Sequence, residues 1–293
     1  MMPVRNEAWV LGFSARVALM WCDELVIRIH SSNDGSWEIV EGLVKEYAGR
    51  VMAIQGGESD WDEMAHRQNM LNSARLRGAT HLAIIDADEV LTGDLVPHDR
   101  YYGIRGHALS ALTEGEILQL PGYNVRNGIS QYHSNGIWGN RWFSTAFRDD
   151  PRLGWTGDKF HSREPEGVPL TPYRPIAQGQ GGVMHLWGAS ERRLRAKHAW
   201  YKVTERLRWP EKSSEVIDVM YSLAIKGITG DPAIGTPASW TYASVPASWW
   251  APYQHLMRYL DVDAEPWQET EVRKLVAEHG KEKFQGLDLF GVA

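Results

Sequence analysis

The chain has 293 residues, a length that fits one large domain or a domain with an appendage. It carries 31 basic and 37 acidic residues, so its formal net charge of −6 gives no overall basic field that would predict nucleic-acid binding. Its single cysteine, Cys22, excludes a disulfide framework and a cysteine zinc site. No apolar run is as long as a membrane span and no signal peptide is recognisable, so we expect a cytoplasmic protein.

The first ninety residues alternate between apolar strands and amphipathic helices. We expect strands at 1–4, 24–29, 50–54 and 81–85, and helices at 6–21, 36–48 and 61–77. Continuous apolar strands that alternate with helices predict a parallel sheet covered on both faces. Ligands of such sheets bind at the carboxyl ends of the strands, which here carry Arg5-Asn6-Glu7, residues 31–34, residues 55–59 and an acidic run.

After residue 100 this alternation is lost. We expect strands at 116–126, 141–148 and 181–188, and helices at 189–207, 213–228, 251–260 and 268–284. A loop-rich stretch at 153–175 predicts order around a ligand or partner, and 229–250 reads as a linker. The second half also holds many of the 14 tryptophans, whose flat faces suit sugar or base stacking as well as core packing.

The fourth predicted strand runs into HLAIIDADEV, which places Asp86, Asp88 and Glu89 within four positions. Residues two apart on a strand point to the same side, so Asp86 and Asp88 can face one ligand. Paired carboxylates bind Mg²⁺ or Mn²⁺ together with substrate phosphates. An isolated D-x-D triplet is more often a solvated turn or a helix cap. This triplet stands where an α/β sheet binds ligands, which favours a metal site.

Three stretches together resemble the nucleotide-sugar half of GT-A glycosyltransferases, closest to family 2. They are VRNEAWVLGF, then SSNDGS, then AHRQNMLNSARLRGATHLAIIDADEV, in which an arginine-bearing helix leads into the D-x-D-E strand. The resemblance holds over residues 1–90, weakens over 91–200 and is absent beyond. It implies an α/β, Rossmann-like GT-A fold with a mostly parallel central sheet, helices on both faces and a helical C-terminal appendage.

The resemblance also implies a division of the chain by function. A catalytic domain would span residues 1–205, with a nucleotide-sugar-binding half at 1–90 and a half at 91–205 that binds the acceptor and completes the metal site. The helical extension would span 206–293.

Carried over by position, the resemblance makes Asp88 the main metal ligand and Asp86 its partner, which holds the ribose or the metal. The residues that it places in the nucleotide pocket are Arg5, Asn6, Glu7, Asp34 and Arg67. Asp34 would contact the nucleoside, and Arg67 would lie near the diphosphate or brace Asp86. Asp34-Gly35 also reads as an ordinary turn before a helix, and Arg67 as an ordinary surface arginine.

Further candidates come from the second half. His185 ends the strand in VMHLW, where the resemblance implies a histidine that completes the metal shell; a lone histidine at a strand end is more often structural. A basic helix face follows, with one or two side chains able to reach a diphosphate and the rest solvated; its members are Arg192, Arg193, Arg195 and Lys197.

The catalytic base is expected in the loop FRDDPRLGWTGDKFHSRE. An inverting enzyme needs a carboxylate that takes the proton from the acceptor hydroxyl. We assign this role to Asp158, with His161 as an acceptor-site residue or alternative base. Relatives often have a His-Glu pair here, whereas this chain has His161-Ser162, and the loop can also be structural.

The sequence therefore predicts a metal-dependent glycosyltransferase, hexosyl- or pentosyl-transferring, that uses Mn²⁺ or Mg²⁺ and a nucleotide diphosphate sugar, with inversion at the sugar. Its acceptor would be a carbohydrate or, more speculatively, a hydroxymethylated base flipped out of DNA. Two alternatives stay open: a sugar-phosphate nucleotidyltransferase, which would show a Gly-rich signature after the first strand, and a non-catalytic protein that binds sugars or nucleotides.

Overall fold

The computed structural model describes residues 1–56, 62–97, 103–139, 141–157, 159, 162–225 and 239–293. The chain divides into two compact units. Unit 1 comprises Met1–Gly122, Trp142–His185 and Pro246–Asp261, and unit 2 comprises Tyr123–Arg141, Leu186–Val245 and Val262–Ala293. This division by compactness does not test the predicted functional boundary at residue 205, which stays a prediction.

The first six elements follow the predicted strand and helix pattern closely. They are β1 (Met2–Val4), α1 (Ala8–Ala18), β2 (Leu25–Ile29), α2 (Ser36–Glu46), β3 (Val51–Gln55) and α3 (Glu63–Leu76). The three strands form a parallel sheet in the order β1-β2-β3. Because alternate residues of a strand face opposite sides, Val26 of β2 packs with Met64 and Leu71 of α3, while Leu25 and Ile27 are buried on the other side.

The remaining elements are shorter and more varied. The strands are β4 (His81–Ala83), β5 (Glu89–Leu91), β6 (Glu116–Arg126), β7 (Gln131–His133), β8 (Arg141–Arg148), β9 (Thr171–Tyr173), β10 (Val183–His185) and β11 (Tyr242–Ser244). The α-helices are α4 (Ile104–Ala111), α5 (Gly136–Gly139), α6 (Glu191–Arg208), α7 (Ser214–Ser222), α8 (Ala247–Trp250) and α9 (Trp267–His279). Within the described residues, 3₁₀ helices lie at Gly93–Leu95, Leu186–Gly188, Ala251–Tyr259 and Lys281–Phe284.

The strands beyond β3 correct the prediction of a mostly parallel sheet. β4 pairs with β8 in antiparallel fashion, β5 pairs with β10 likewise, and the start of β6 pairs in parallel with β9. The protein is therefore mixed α/β, with a parallel sheet from the first half and largely antiparallel pairing elsewhere. Antiparallel partners need no crossover helix, so the loop-rich second half can supply them, and an apolar strand does not reveal the direction of its partner.

The loop-rich region after β8 is anchored in the core of unit 1. Leu153 and Trp155 are buried in the cluster that holds Phe147 of β8 and Leu71 of α3. The rings of Phe147 and Trp155 lie edge to face with centroids 6.1 Å apart. Arg75 of α3 fastens the start of this region through a bidentate pair with Asp149 (2.9 and 2.8 Å). The loop is thus held at its base against α3.

Unit 2 is helical, with a small β-ribbon of β7 and β11. α6 packs against α9 through Val203, Val272 and Val276. Lys202 on α6 is fully buried, and its ammonium donates to Asp218 (2.7 Å), to the Ser222 hydroxyl (2.8 Å) and to the carbonyl of Asp288 (2.8 Å). These bonds satisfy a buried cation and tie the C-terminal segment to α6 and α7.

Two buried histidines of unit 2 are held in the neutral form. The Nε2 atom of His133 accepts a hydrogen bond from Arg126 (2.8 Å), and burial together with the Arg126 charge lowers the pKa of His133 to about 3. His198 stacks on Trp187 with ring centroids 5.2 Å apart, and burial lowers its pKa to about 3. Its Nδ1 lies 2.5 Å from the carbonyl of Tyr221, to which it donates.

These histidines predict how stability depends on pH. Below pH 6.5 the unfolded chain protonates them while the folded protein keeps them neutral, so the free energy of unfolding falls as the pH is lowered, by about 1.4 kcal/mol per pH unit for each group. H198N keeps a donor for Tyr221 but does not titrate. We expect its unfolding free energy, measured by urea denaturation between pH 6.5 and 4, to decline less steeply than that of the wild type. The exposed His255 provides the control, H255N, which should keep the wild-type slope; an unchanged slope in H198N would contradict the assignment.

Candidate functional site

The acidic cluster forms a tight turn between β4 and β5. Hydrogen bonds from Ile84 N–H to Thr145 O (2.8 Å) and from Ile85 N–H to Met1 O (3.2 Å) continue the strand direction up to the turn. The turn closes on itself, since the backbone N–H of Glu89 donates to Asp86 O (3.0 Å) and the N–H of Asp86 donates to the Glu89 carboxylate (2.9 Å). Four residues thus carry three carboxylates in one fixed backbone conformation.

Glu89, to which the sequence assigned no role, is the anchor of this turn. Its side chain is buried, and its two oxygens accept from the two terminal nitrogens of Arg163 (2.7 and 2.8 Å). Arg163 also donates to Ile84 O (2.7 Å) and, through Nε, to Ser144 O. Such a bidentate pair is strong because the planar guanidinium matches the carboxylate. It binds the loop after β8 to the acidic turn.

Arg67 braces Asp86 from α3, which is one of the two roles that the resemblance implied for it. Its buried guanidinium lies 3.2 Å from Asp86 Oδ1 and 2.9 Å from Glu63 Oε1, one helical turn away. The second Asp86 oxygen is 3.6 Å from Arg163. Burial by itself raises the pKa of Asp86, but the charges of Arg67 and Arg163 outweigh it and hold the pKa below its usual value. Asp86 is therefore ionised and fixed at neutral pH.

Asp88 meets His185 at the same end of the sheet. The antiparallel pairing of β10 with β5 sets His185 opposite Glu89, and His185 Nε2 lies 3.3 Å from Asp88 Oδ1. Asp88 is 5% exposed and His185 is half-buried against the ring of Phe143, with centroids 5.7 Å apart. The structure thus brings His185 close to Asp86 and Asp88, although it lies far from both aspartates in the sequence.

The chemistry of this pair fits a divalent cation that has an open coordination shell. A carboxylate oxygen and an imidazole nitrogen suit Mn²⁺, and such ions keep waters and substrate phosphates as further ligands. Within the described ranges, no group of three or more His, Cys, Asp or Glu side chains forms a ready metal cage. Asp88 and His185 therefore offer a partial donor set that substrate oxygens would complete.

Apart from Arg67 on α3, the predicted nucleotide-pocket residues lie after β1 and β2, in two loops that bind each other. Asn6 adopts a left-handed conformation (φ +54°), its N–H donates to Ser32 Oγ (2.9 Å), and its side-chain oxygen accepts from Asn33 N–H (2.8 Å). Asparagine tolerates this conformation better than most residues. Asn6 therefore holds the two loops together.

Asp34 acts as a brace between the same loops. Its carboxylate accepts from Ala8 N–H (2.9 Å), at the first turn of α1, and from the N–H and hydroxyl of Ser36 (3.0 and 2.7 Å), at the start of α2. The Ser36 hydroxyl in turn accepts from Glu7 N–H (3.0 Å). Asp34 itself is exposed, and Glu7 and Arg5 are half-buried. Asp34 therefore accepts from the first backbone N–H group of α1 and from that of α2, and so joins the two loops.

The two residues assigned to the catalytic base, Asp158 and His161, lie outside the described residues. The basic helix residues make contacts within unit 2: Arg192 pairs with Glu269 (2.7 Å), Arg193 donates to Ala264 O (2.7 Å) and Arg195 pairs with Glu191 (2.8 Å). Arg193 is thus buried where a solvated side chain was expected, while Arg192 and Arg195 lie on the surface of unit 2.

Most tryptophans that the sequence offered as stacking platforms pack inside a unit. Trp155, Trp249 and Trp250 are buried in unit 1, and in unit 2 Trp187 stacks on His198. Trp142 on β8 differs, because it is half-buried and carries the guanidinium of Arg174 4.5 Å above its ring. Trp142 therefore keeps part of its ring accessible beside a cation. Separately, among the described residues no helix is long and apolar enough to cross a membrane.

No protein-family model and no curated protein matches the chain. Solved structures similar to it include the mannosyltransferase PcManGT from Pyrobaculum calidifontis in complex with GDP-Man and Mn²⁺, 14% identical, with 94% of this chain and 84% of that one covered at a TM-score of 0.39. S. aureus TarS 1–349 is 9% identical over 97% and 87% of the two chains, with a TM-score of 0.39. GalNAc-T7 with UDP, GalNAc and Mn²⁺ is 14% identical over 95% and 56%, with a TM-score of 0.35. At these identities and TM-scores the neighbours assign this chain no activity, no substrate and no residue's role.

The Arg163–Glu89 pair yields a prediction about stability. R163M leaves the buried Glu89 charged and without its partner, so we expect the free energy of unfolding to drop by about 3–5 kcal/mol. The double variant R163M/E89Q removes that charge while the amide oxygen still accepts from Asp86 N–H, so it should be more stable than R163M alone. Urea denaturation of the wild type, R163M, E89Q and R163M/E89Q gives the four free energies of unfolding that this double-mutant cycle compares.

The matched control for this cycle is R152M, because Arg152 is 72% exposed in its pair with Asp150. It should cost less than about 1 kcal/mol, as exposed ion pairs do. If R163M proved no less stable than R152M, or if R163M/E89Q proved no more stable than R163M, the buried pair would not be the anchor of the turn.

Proposed function

We propose that this protein is a metal-dependent glycosyltransferase of the GT-A type, which transfers a sugar from a nucleotide diphosphate sugar to an acceptor hydroxyl with inversion. The observation that carries this proposal is the Asp88–His185 contact (3.3 Å) beside the doubly braced Asp86, at the end of the sheet where α/β proteins bind ligands. The resemblance over residues 1–90 supports the same donor class.

Asp88 and His185 would hold the divalent cation, Mn²⁺ or Mg²⁺. When bound, such an ion supplies Lewis-acid stabilisation of the charge that develops on a departing nucleoside diphosphate. Asp86, held ionised by Arg67 and Arg163, adds negative charge beside the pair and remains a candidate for the ribose or the metal. The loops braced by Asn6 and Asp34 would form the nucleoside side of the pocket, with Arg5 and Glu7 on its wall.

The nucleotidyltransferase alternative is disfavoured by the end of β1. That reading calls for a Gly-rich loop with a basic residue straight after the first strand. Here Asn6 and Glu7 are bound through their backbone N–H groups to Ser32 (2.9 Å) and Ser36 (3.0 Å), which leaves no Gly-rich cradle at this point of the chain.

For the acceptor we propose a saccharide hydroxyl. Trp142 supports this choice, because a half-exposed ring beside polar side chains suits stacking against a sugar. A hydroxymethylated DNA base remains the second acceptor to test, by gel shift with plain and hydroxymethylated duplexes at low salt. Binding of neither duplex would remove it.

The proposed metal ligands predict a loss of cation and donor binding. In D88A and in H185A we expect the affinity for Mn²⁺ with a nucleoside diphosphate, measured by titration calorimetry, to fall at least about tenfold. Hydrolysis of a panel of UDP-, GDP- and TDP-sugars should fall further, because the same interaction stabilises the leaving group in the transition state.

The control is D23A, which removes an aspartate whose side chain is 73% exposed at the opposite, amino-terminal edge of β2. It should bind and hydrolyse the donor within about twofold of the wild type, as expected of surface substitutions away from a site. If the wild type binds no donor with Mn²⁺, or if D88A behaves like D23A, the glycosyltransferase proposal is wrong.

A further inference from the structure

Glu164 follows Arg163 in the loop after β8, and its carboxylate is held in an unusual way for an exposed group. The Ser144 hydroxyl donates to its Oε1, and the Gln119 side-chain amide donates to the same oxygen (3.3 Å). Within the described residues Oε2 receives no hydrogen bond, while the residue as a whole is exposed. One oxygen is thus fixed by the protein and the other is available to a ligand.

We propose that Glu164 is the catalytic base of the transfer reaction, a role that rests on the proposed glycosyltransferase function. In the step, Glu164 Oε2 takes the proton of the acceptor hydroxyl as the hydroxyl oxygen forms a bond to the anomeric carbon. The bond from that carbon to the diphosphate oxygen breaks, and its electron pair leaves with the nucleoside diphosphate.

The position of Glu164 is coupled to the acidic turn through two residues. Arg163, its chain neighbour, contacts Glu89 (2.7 Å) and Asp86 (3.6 Å). Ser144 accepts from Arg163 through its carbonyl and donates to Glu164 through its hydroxyl. Arg163 therefore contacts two carboxylates of the acidic turn and is linked through Ser144 to the carboxylate of Glu164.

The other described carboxylates of this loop are each neutralised by a cation. Asp149 is bound by Arg75 (2.8 Å), Asp150 by Arg152 (2.6 Å) and Glu166 by Lys159. Glu164 is held instead by two neutral donors, the Ser144 hydroxyl and the Gln119 amide, and makes no ion pair with a described residue. Among these four, the geometry favours Glu164 as the group that reacts.

Gln119 is oriented for this contact by Arg174. Two guanidinium nitrogens of Arg174 donate to Gln119 Oε1 (2.9 and 2.8 Å), which turns the amide nitrogen toward Glu164. Arg174 also covers the ring of Trp142. A polar chain from Arg174 to Glu164 thus borders the aromatic face proposed for the acceptor.

The test compares E164Q with E166Q, a matched change two residues away in the same loop, and with D158N, the base predicted from sequence. Each is assayed for hydrolysis of the nucleotide-sugar panel with Mn²⁺ and for nucleoside diphosphate affinity. We expect E164Q to hydrolyse the donor ~100-fold more slowly or worse, with affinity within about twofold of the wild type. E166Q should match the wild type.

A second variant separates catalysis from structure. E164A should regain turnover with sodium azide, because azide is already an anion and attacks the anomeric carbon without giving up a proton; the product is a glycosyl azide. Azide should not accelerate the wild type or E166Q.

Hydrolysis by E164Q at the wild-type rate, loss in D158N alone, or failure of azide to restore E164A would each overturn the assignment of Glu164. A wild-type protein that neither binds nor hydrolyses any donor would overturn the proposed function, and this inference with it. The two failures are therefore distinguishable by the behaviour of the wild type alone.

Discussion

The buried ion pair between Arg163 and Glu89 is the interaction on which the candidate site depends. Three carboxylates within four residues repel one another, and burial strengthens this repulsion. A buried turn that carries them is therefore stable only when cationic side chains lie beside them. Arg163 meets two of them, at 2.7 Å and 3.6 Å, and also satisfies the carbonyls of Ile84 and Ser144. One guanidinium thus orders the acidic turn and the loop after β8 together.

Among the described residues, four carboxylates around the turn lie beside two buried arginines, so negative charge is in excess there. Glu63, Asp86 and Glu89 contact Arg67 or Arg163, and Asp88 contacts the imidazole of His185. A divalent cation placed at Asp88 and His185 would remove this imbalance. The crowded carboxylates that need positive charge for stability are therefore the same groups that make this position suitable for the proposed cation.

Unit 2 uses its aromatic and charged residues differently. His198 and Trp187 stack with one another, and the buried Lys202 is satisfied by Asp218, Ser222 and a backbone carbonyl. These groups pack and form hydrogen bonds within the unit. A high tryptophan content thus says little about ligands until burial is known, and in unit 1 it is the half-exposed Trp142 that borders the polar chain ending at Glu164.

The sequence by itself determined the first three strands and helices and the acidic turn as the candidate site. These follow from local patterns, since apolar periodicity and strand alternation act over a few residues. Only the tertiary structure decided that Glu89 faces Arg163, that His185 reaches Asp88 by antiparallel pairing, and that Asp34 accepts from Ala8 at the start of α1. Those contacts join residues far apart in the chain, and their geometry is set by strand direction and packing, which no local pattern contains.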